Sequence, residues 1–218
     1  MLLAFHNNSQ VKEFYLNRVR HHRVQDEIIQ GTYWKEGKGC AVGCTLHSSN
    51  HRSYEIELGI PELLAHLQDA IFEYLPPENA KEFPEKFLEA IPVGADLGEV
   101  WSKFALWLLV DPERGVVTYF TPGGEQDKIT RTVARLIENG GTCKQFHQAA
   151  SIAVEDRVNV IFVYYIALVF AERRTVFSGH TISHATEFAK RNYKKLDVET
   201  QAEKLIELLK EAPVPVNV

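Results

Sequence analysis

Apolar side chains recur at helical spacing through most of this chain, and that period constrains the fold more than any other feature of the sequence. Such spacing lays one continuous stripe along a helix but scatters across both faces of a strand, so rods rather than ribbons bury the interior. From Asp96, with Glu99 as capping partner, apolar residues fall at Leu97, Val100, Trp101, Phe104, Trp107 and Leu108 until Asp111-Pro112 stops the run. Ile60-Pro61 opens a second stripe at Leu64, Leu67, Ile71, Tyr74 and Leu75, closed by Pro76-Pro77, and a shorter helix is expected after Pro84. Ser9 is placed to cap a first helix reaching about Ile29. After Pro122-Gly-Gly124, the stripe Ile129, Val133, Leu136 and Ile137 ends at Asn139-Gly140-Gly141. Thr142 then caps a stretch without Gly or Pro as far as Gly179, read as one long helix or two, and Asp197 starts a last helix that Pro213 ends.

The expectation is an all-α, single-domain helical bundle over residues 1–218, with about seven helices and one long Gly-rich irregular segment, residues 31–58, draped against it. Residues 116–120 form the only other plausible extended piece, with some strand character in the β-branched run at 158–163.

Composition narrows the function classes. A net charge of -5 argues against a dedicated nucleic-acid binder, which needs an excess of Lys and Arg on one face. The basic stretches around Arg18, Arg20 and Arg23 and around Lys190 and Arg191 are flanked by acids and read as solvated helix faces. Three cysteines give no disulfide framework and fit a reducing compartment. The most apolar run, residues 158–171, is shorter than a bilayer span and contains Asn159, so it reads as a buried helix. A cytoplasmic chain with no membrane partner is expected, with oligomeric state left open.

The segment 31–58 is where chemistry concentrates. A phosphate-loop reading fails because Gly39 stands where Ser or Thr must follow Lys38. Cys40, Cys44, His47 and His51 are all metal-ligand types and make zinc the candidate cofactor. On one continuous helix the outer two would lie about 16 Å apart, so a shared ion needs a chain break near Thr45 or ligands from elsewhere. The plainer reading is packing: Gly39, Ala41, Gly43 and the two cysteines are small and allow close backbone approach. Tyr33, Trp34, Lys38, His47 and Glu55 are the candidate ligand-binding residues, Glu55 doubling as a base if the chain is an enzyme. His180, His184 and Glu187 share a helical stripe opposite Ile182, Ala185 and Phe188, which turns them to solvent. No Ser-His-Asp order, nucleophile elbow or dinucleotide glycine motif occurs.

Tyr33-Trp34, the run from Gly37 to Cys44, Leu58-Gly-Ile-Pro61, Gly94-Ala-Asp96 and Trp107-Leu-Leu-Val-Asp111 resemble a group of bacterial and phage proteins with no established activity. The resemblance covers most of the chain and implies helix over strand at residues 149–171, with the second half as scaffold. It implies no substrate or cofactor. Two functional expectations therefore stand: a non-catalytic binding or interaction protein acting through residues 33–51, with a protein or small-ligand partner, or a metal-dependent or thiol-using enzyme centred on Cys40, Cys44, His47 and His51.

Overall fold

The structure is a computed structural model that describes residues 1–155, 161–172 and 176–216. It is 69% helical and 4% strand, so the all-α expectation holds. Among the described residues, no helix is long and apolar enough to cross a membrane. The chain divides into two compact units, residues 1–100 with 202–218 and residues 101–201.

In the first unit α1 (Ser9–Val24), α2 (Ala41–Leu46), α3 (Glu62–Tyr74) and α4 (Pro77–Ala90) pack on one another, with α1 against α2 and α4, and α3 against α2 and α4. Tyr54, Phe72, Phe87, Leu58 and Leu64 are fully buried in its core. The first helix ends sooner than its pattern implied, because Asp26 turns left-handed at φ 55° and breaks the ladder, and the cap is Asn8, which accepts from the Gln10 N–H at 2.9 Å. Pro84 does not start a helix. It lies inside α4, which begins at Pro77 in the first turn, where a missing N–H costs nothing.

The segment 31–58 is not irregular. Two short strands, β1 (Trp34–Lys35) and β2 (Lys38–Gly39), pair antiparallel across Glu36 and Gly37, whose φ values of 53° and 84° suit a tight primed turn. The α2 helix follows at once, and residues Tyr54–Leu58 form a short π-helix. The glycines make this packing possible. A Cβ on Gly39 would stand 2.2 Å from the Tyr33 carbonyl oxygen, and one on Gly43 would stand 1.6 Å from the same atom. The hairpin backbone is thus seated directly on α2, with the Cys40 N–H donating to the Thr32 carbonyl at 2.7 Å.

The second unit contains α5 (Val100–Val110), α6 (Glu125–Glu138), α7 (Cys143–Glu155), α8 (Ile161–Glu172) and α9 (Val176–Asn192), and α10 (Val198–Lys210) begins there. Here α6 packs on α7, α7 on α8 and α8 on α9. Asp96 does not cap α5, which starts four residues later, because its backbone is held in a bridge with Leu3 and its carboxylate accepts from Gly98. Thr142 and Gln145 cap α7 reciprocally, and Asp197 accepts from the Thr200 N–H at 2.8 Å to cap α10. Residues 116–119 coil into a 3-10 turn rather than a strand, and residues 156–160, which include part of the β-branched run, lie outside the described set.

Two consequences are measurable. Gly43→Ala drives a methyl into the Tyr33 backbone and is expected to cost about 3 kcal/mol in urea unfolding, whereas Gly124→Ala, whose nearest contact is 2.9 Å, costs clearly less. In the second unit Asp127 accepts from the Gly123 N–H at 3.0 Å and from Arg131 at 2.8 Å, and these bonds hold its carboxyl below the usual range. Stability from Asp127 is therefore full above the ordinary carboxylate range and lost as pH falls through the depressed value. Asp127→Asn should cost about 1 kcal/mol at neutral pH and flatten the acid limb of the melting-temperature profile.

Candidate functional site

Four elements of the first unit bring polar groups together: the hairpin, the start of α2, the turn before the π-helix, and α3. Cys40 stands immediately before α2, with its Sγ accepting from the Gly43 N–H at 3.4 Å and lying 3.5 Å from the Tyr33 carbonyl. Asp69 and Glu73 sit four residues apart on α3 and so share a face. One ligand-type atom from each of Cys40, Asp69 and Glu73 lies within 4.8 Å of the others, the only such group among the described residues. Cys40 and Asp69 are buried and Glu73 is partly buried.

Each side chain of the cluster has a hydrogen-bond partner, but one buried oxygen does not. Asp69 Oδ2 pairs with His51 Nε2 at 3.1 Å, but Asp69 Oδ1 is buried without a hydrogen-bond partner. Glu73 accepts only one backbone donor, the Gly31 N–H at 2.7 Å. No Lys or Arg ion pair to either carboxylate occurs among the described residues. The electrostatics follow from that poverty of cations. Burial and then Asp69 push the Cys40 thiol up, and burial with Asp69 raises Glu73 against the opposing Gly31 N–H. Tyr33 is raised by burial and then by Asp69, Cys40 and Glu73.

His51 braces the cluster from the other side. Its Nδ1 faces the Ser49 carbonyl at 3.2 Å while Nε2 faces Asp69, so a hydrogen on either ring nitrogen has an acceptor. Its ring stacks on His66 at 4.2 Å and meets the Tyr33 ring edge-on at 5.8 Å.

The four cysteines and histidines expected to share an ion do not meet. Cys40 alone of them belongs to the Cys40, Asp69 and Glu73 group, and His51 contacts that group through Asp69. The Cys44 thiol is turned to the Gly39 carbonyl at 3.3 Å, and burial pushes it up to about 12. His47 ends α2 in a left-handed conformation, φ 56°, stacked on Trp34 at 4.6 Å and bonded to His22. The chain does not break at Thr45, which lies within α2; it turns left-handed only at His47, whose ring contacts are with Trp34 and His22. Lys38 is exposed on β2, and Glu55 accepts from the Glu62 N–H at 3.1 Å, a helix-capping role rather than that of a base. Tyr33 is 56% exposed beside the buried cluster. On α9, His184 is exposed and stacks on Tyr165, and Glu187 pairs with Arg191 at 2.5 Å, as a solvated face requires.

Asp69 and Glu73 were absent from the sequence reading. One signal marks them: a like-charged pair four residues apart with no Lys or Arg three or four positions away on either side. The acids Glu82, Asp127 and Glu187 each have such a cation.

No protein-family model, curated protein or solved structure matches this chain.

If His51 compensates the buried Asp69, then His51→Leu in chelator-treated protein strands that charge and should cost about 3 kcal/mol, and His51→Leu with Asp69→Leu should recover more than half of it. A urea double-mutant cycle with strictly additive losses would contradict the pairing.

Proposed function

We propose that this chain is a metal-binding protein that holds one zinc-class divalent ion on Cys40, Asp69 and Glu73, and that it acts as a binding component rather than a thiol catalyst. The observation that carries this reading is the buried Asp69 Oδ1, which has no hydrogen-bond partner, within a group of three ligand types that no Lys or Arg among the described residues neutralises. Two carboxylates and a thiol brought that close oppose one another's ionisation, and a divalent ion reverses the sign of every one of those interactions. One sulfur with two oxygens is a borderline donor set, which favours zinc over magnesium or calcium. Three protein donors leave a position for water or for a group offered by a partner, beside the exposed Tyr33.

Thiol catalysis is the less favoured reading on a specific ground. A nucleophilic cysteine needs a depressed thiol in an electropositive setting, whereas Cys40 and Cys44 are both buried and pushed up. Metal binding meets no such obstacle, because the ion itself displaces the thiol proton.

Elemental analysis of protein purified without a histidine tag tests the proposal. The expected result is one zinc per chain and, after cobalt exchange, a thiolate-to-cobalt absorption band that Cys40→Ser abolishes. Asp69→Asn and Glu73→Gln should each weaken affinity about tenfold or more, and Cys44→Ser should leave it unchanged. Chelation should lower the melting temperature by several degrees, since saturation at a hundredfold excess over Kd contributes about 2.7 kcal/mol. A chain that stays metal-free in saturating zinc, with an unmoved melting temperature, refutes it.

A further inference from the structure

A second polar array in the first unit takes no part in the Cys40, Asp69 and Glu73 group. Glu27 Oε2 lies 2.7 Å from His22 Nδ1, and His22 Nε2 lies 2.7 Å from His47 Nε2, so a carboxylate and two imidazoles form one chain of hydrogen bonds. His22 is buried at the end of α1, while His47 is exposed at the end of α2. The ring centroids are 4.9 Å apart, so the two nitrogens point nearly straight at each other. That arrangement suits a proton between them. An ion with bonds of about 2.0 Å would need the rings forced apart, and the array offers it only two nitrogen ligands.

The array is also a clasp. Trp34, the first residue of the hairpin, lies flat on His47 with 9° between the planes and meets His22 edge-on at 5.5 Å. The hairpin is therefore held to α1 and α2 partly through a ring whose own position depends on the bond to His22.

Hydrogen bookkeeping sets the condition for that bond. The Nε2 pair accommodates a single hydrogen. In the neutral pair His47 Nε2–H donates to His22, whose Nδ1–H donates to Glu27. With one proton added from water, His22 becomes the donor and His47 carries its hydrogen on Nδ1. A second proton puts hydrogen on both Nε2 atoms, and no bond between them survives. Two imidazolium rings then face each other at contact distance with Arg18, which already opposes a charge on His47, and only Glu27 to offset three cations. The other titratable neighbours are His21 on α1, 6.0 Å from His22 ring to ring, and the Cys44 thiol on α2, 3.6 Å from the Glu27 carbonyl. Neither supplies a negative charge near neutrality.

We propose that His22 and His47 form an acid-sensitive latch, in which uptake of the second proton breaks the Nε2–Nε2 bond, releases His47 from Trp34 and frees the β1–β2 hairpin from α1. The direction is consistent with His47 itself, which burial and then Arg18 hold below the ordinary histidine range, so the folded chain binds fewer protons at His47 than the open chain and that contribution to closure is favoured as pH rises. The latch stands whether or not an ion binds beside Cys40, since none of its members belongs to that group.

Histidine-labelled nitrogen NMR together with amide hydrogen exchange on the intact, chelator-treated chain tests it. Between pH 7 and pH 5 the two rings should charge in separate steps, and protection at Trp34, Lys35 and Gly39 should fall about tenfold or more with the second step while the α4 amides stay protected. His47→Asn tolerates the left-handed backbone but cannot be protonated, and should hold the loss of hairpin protection below about twofold. The latch is overturned if both rings charge while hairpin protection is retained, or if the Asn variant opens at the same pH. Should that variant fail to fold, the coincidence of the second ring titration with hairpin opening in the parent chain decides by itself.

Discussion

Everything in the first unit hangs on one close approach, the Tyr33 backbone lying on the bare α-carbons of Gly39 and Gly43. Because neither glycine carries a side chain, the hairpin sits on α2 without an intervening layer, and residues on both meet the same face of α3. That contact brings the Gly31 N–H to Glu73, the Tyr33 carbonyl to Cys40 and the Trp34 ring to His47. Side chains at either glycine would hold the strands off by the thickness of a methyl group, and each of these interactions would lengthen together. The polar cluster and the histidine pair are thus consequences of backbone packing first and of chemistry second.

The cost of that packing is electrostatic. Folding buries Asp69 with one oxygen unpaired and sets a thiol and a second carboxylate beside it, and among the described residues its hydrogen-bonded partner able to carry positive charge is His51. Elsewhere the protein treats its charges differently. Arg20 spans Glu85 and Glu89, Arg23 reaches Glu85 at 3.1 Å, and Lys86 pairs with Glu82 at 2.7 Å. Buried acids elsewhere are given cations, Glu85 by Arg20 and Arg23 and Asp127 by Arg131, so the surroundings of Asp69 depart from the protein's own pattern, and local departures of that kind concentrate where a fold serves a ligand.

Much of the fold was legible because helix signals are local. Pro61 before α3, Thr142 with Gln145 at α7 and Asp197 at α10 act within one turn, so a single sequence displays them. Pro84 misled because its position in the first or middle turn of a helix depends on where Pro77 has already started the coil. Residues 31–58 misled for a deeper reason. Glycines at 31, 37, 39 and 43 look like a flexible tract, yet Gly31 and Gly37 serve turns at φ 80° and 84° whereas Gly39 and Gly43 serve a contact. Only the partner backbone tells these uses apart, and it is not adjacent in sequence.

The site was half legible for the same reason. The small residues around Cys40 announced close packing, and the ligand-type side chains announced polarity, but the convergence of Cys40 with Asp69 and Glu73 spans three dozen residues of chain. The α3 stripe of Leu64, Leu67 and Ile71 shows in the sequence which face of that helix meets the core, but it says nothing of what covers Asp69 and Glu73. What that pattern leaves out is that α3 is covered nearly all round: α2 and α4 both pack on it, and none of residues 62–74 is exposed. With no exposed face left on α3, an acid that lacks an adjacent cation there must find its compensation across the interface, in His51, or from outside the chain.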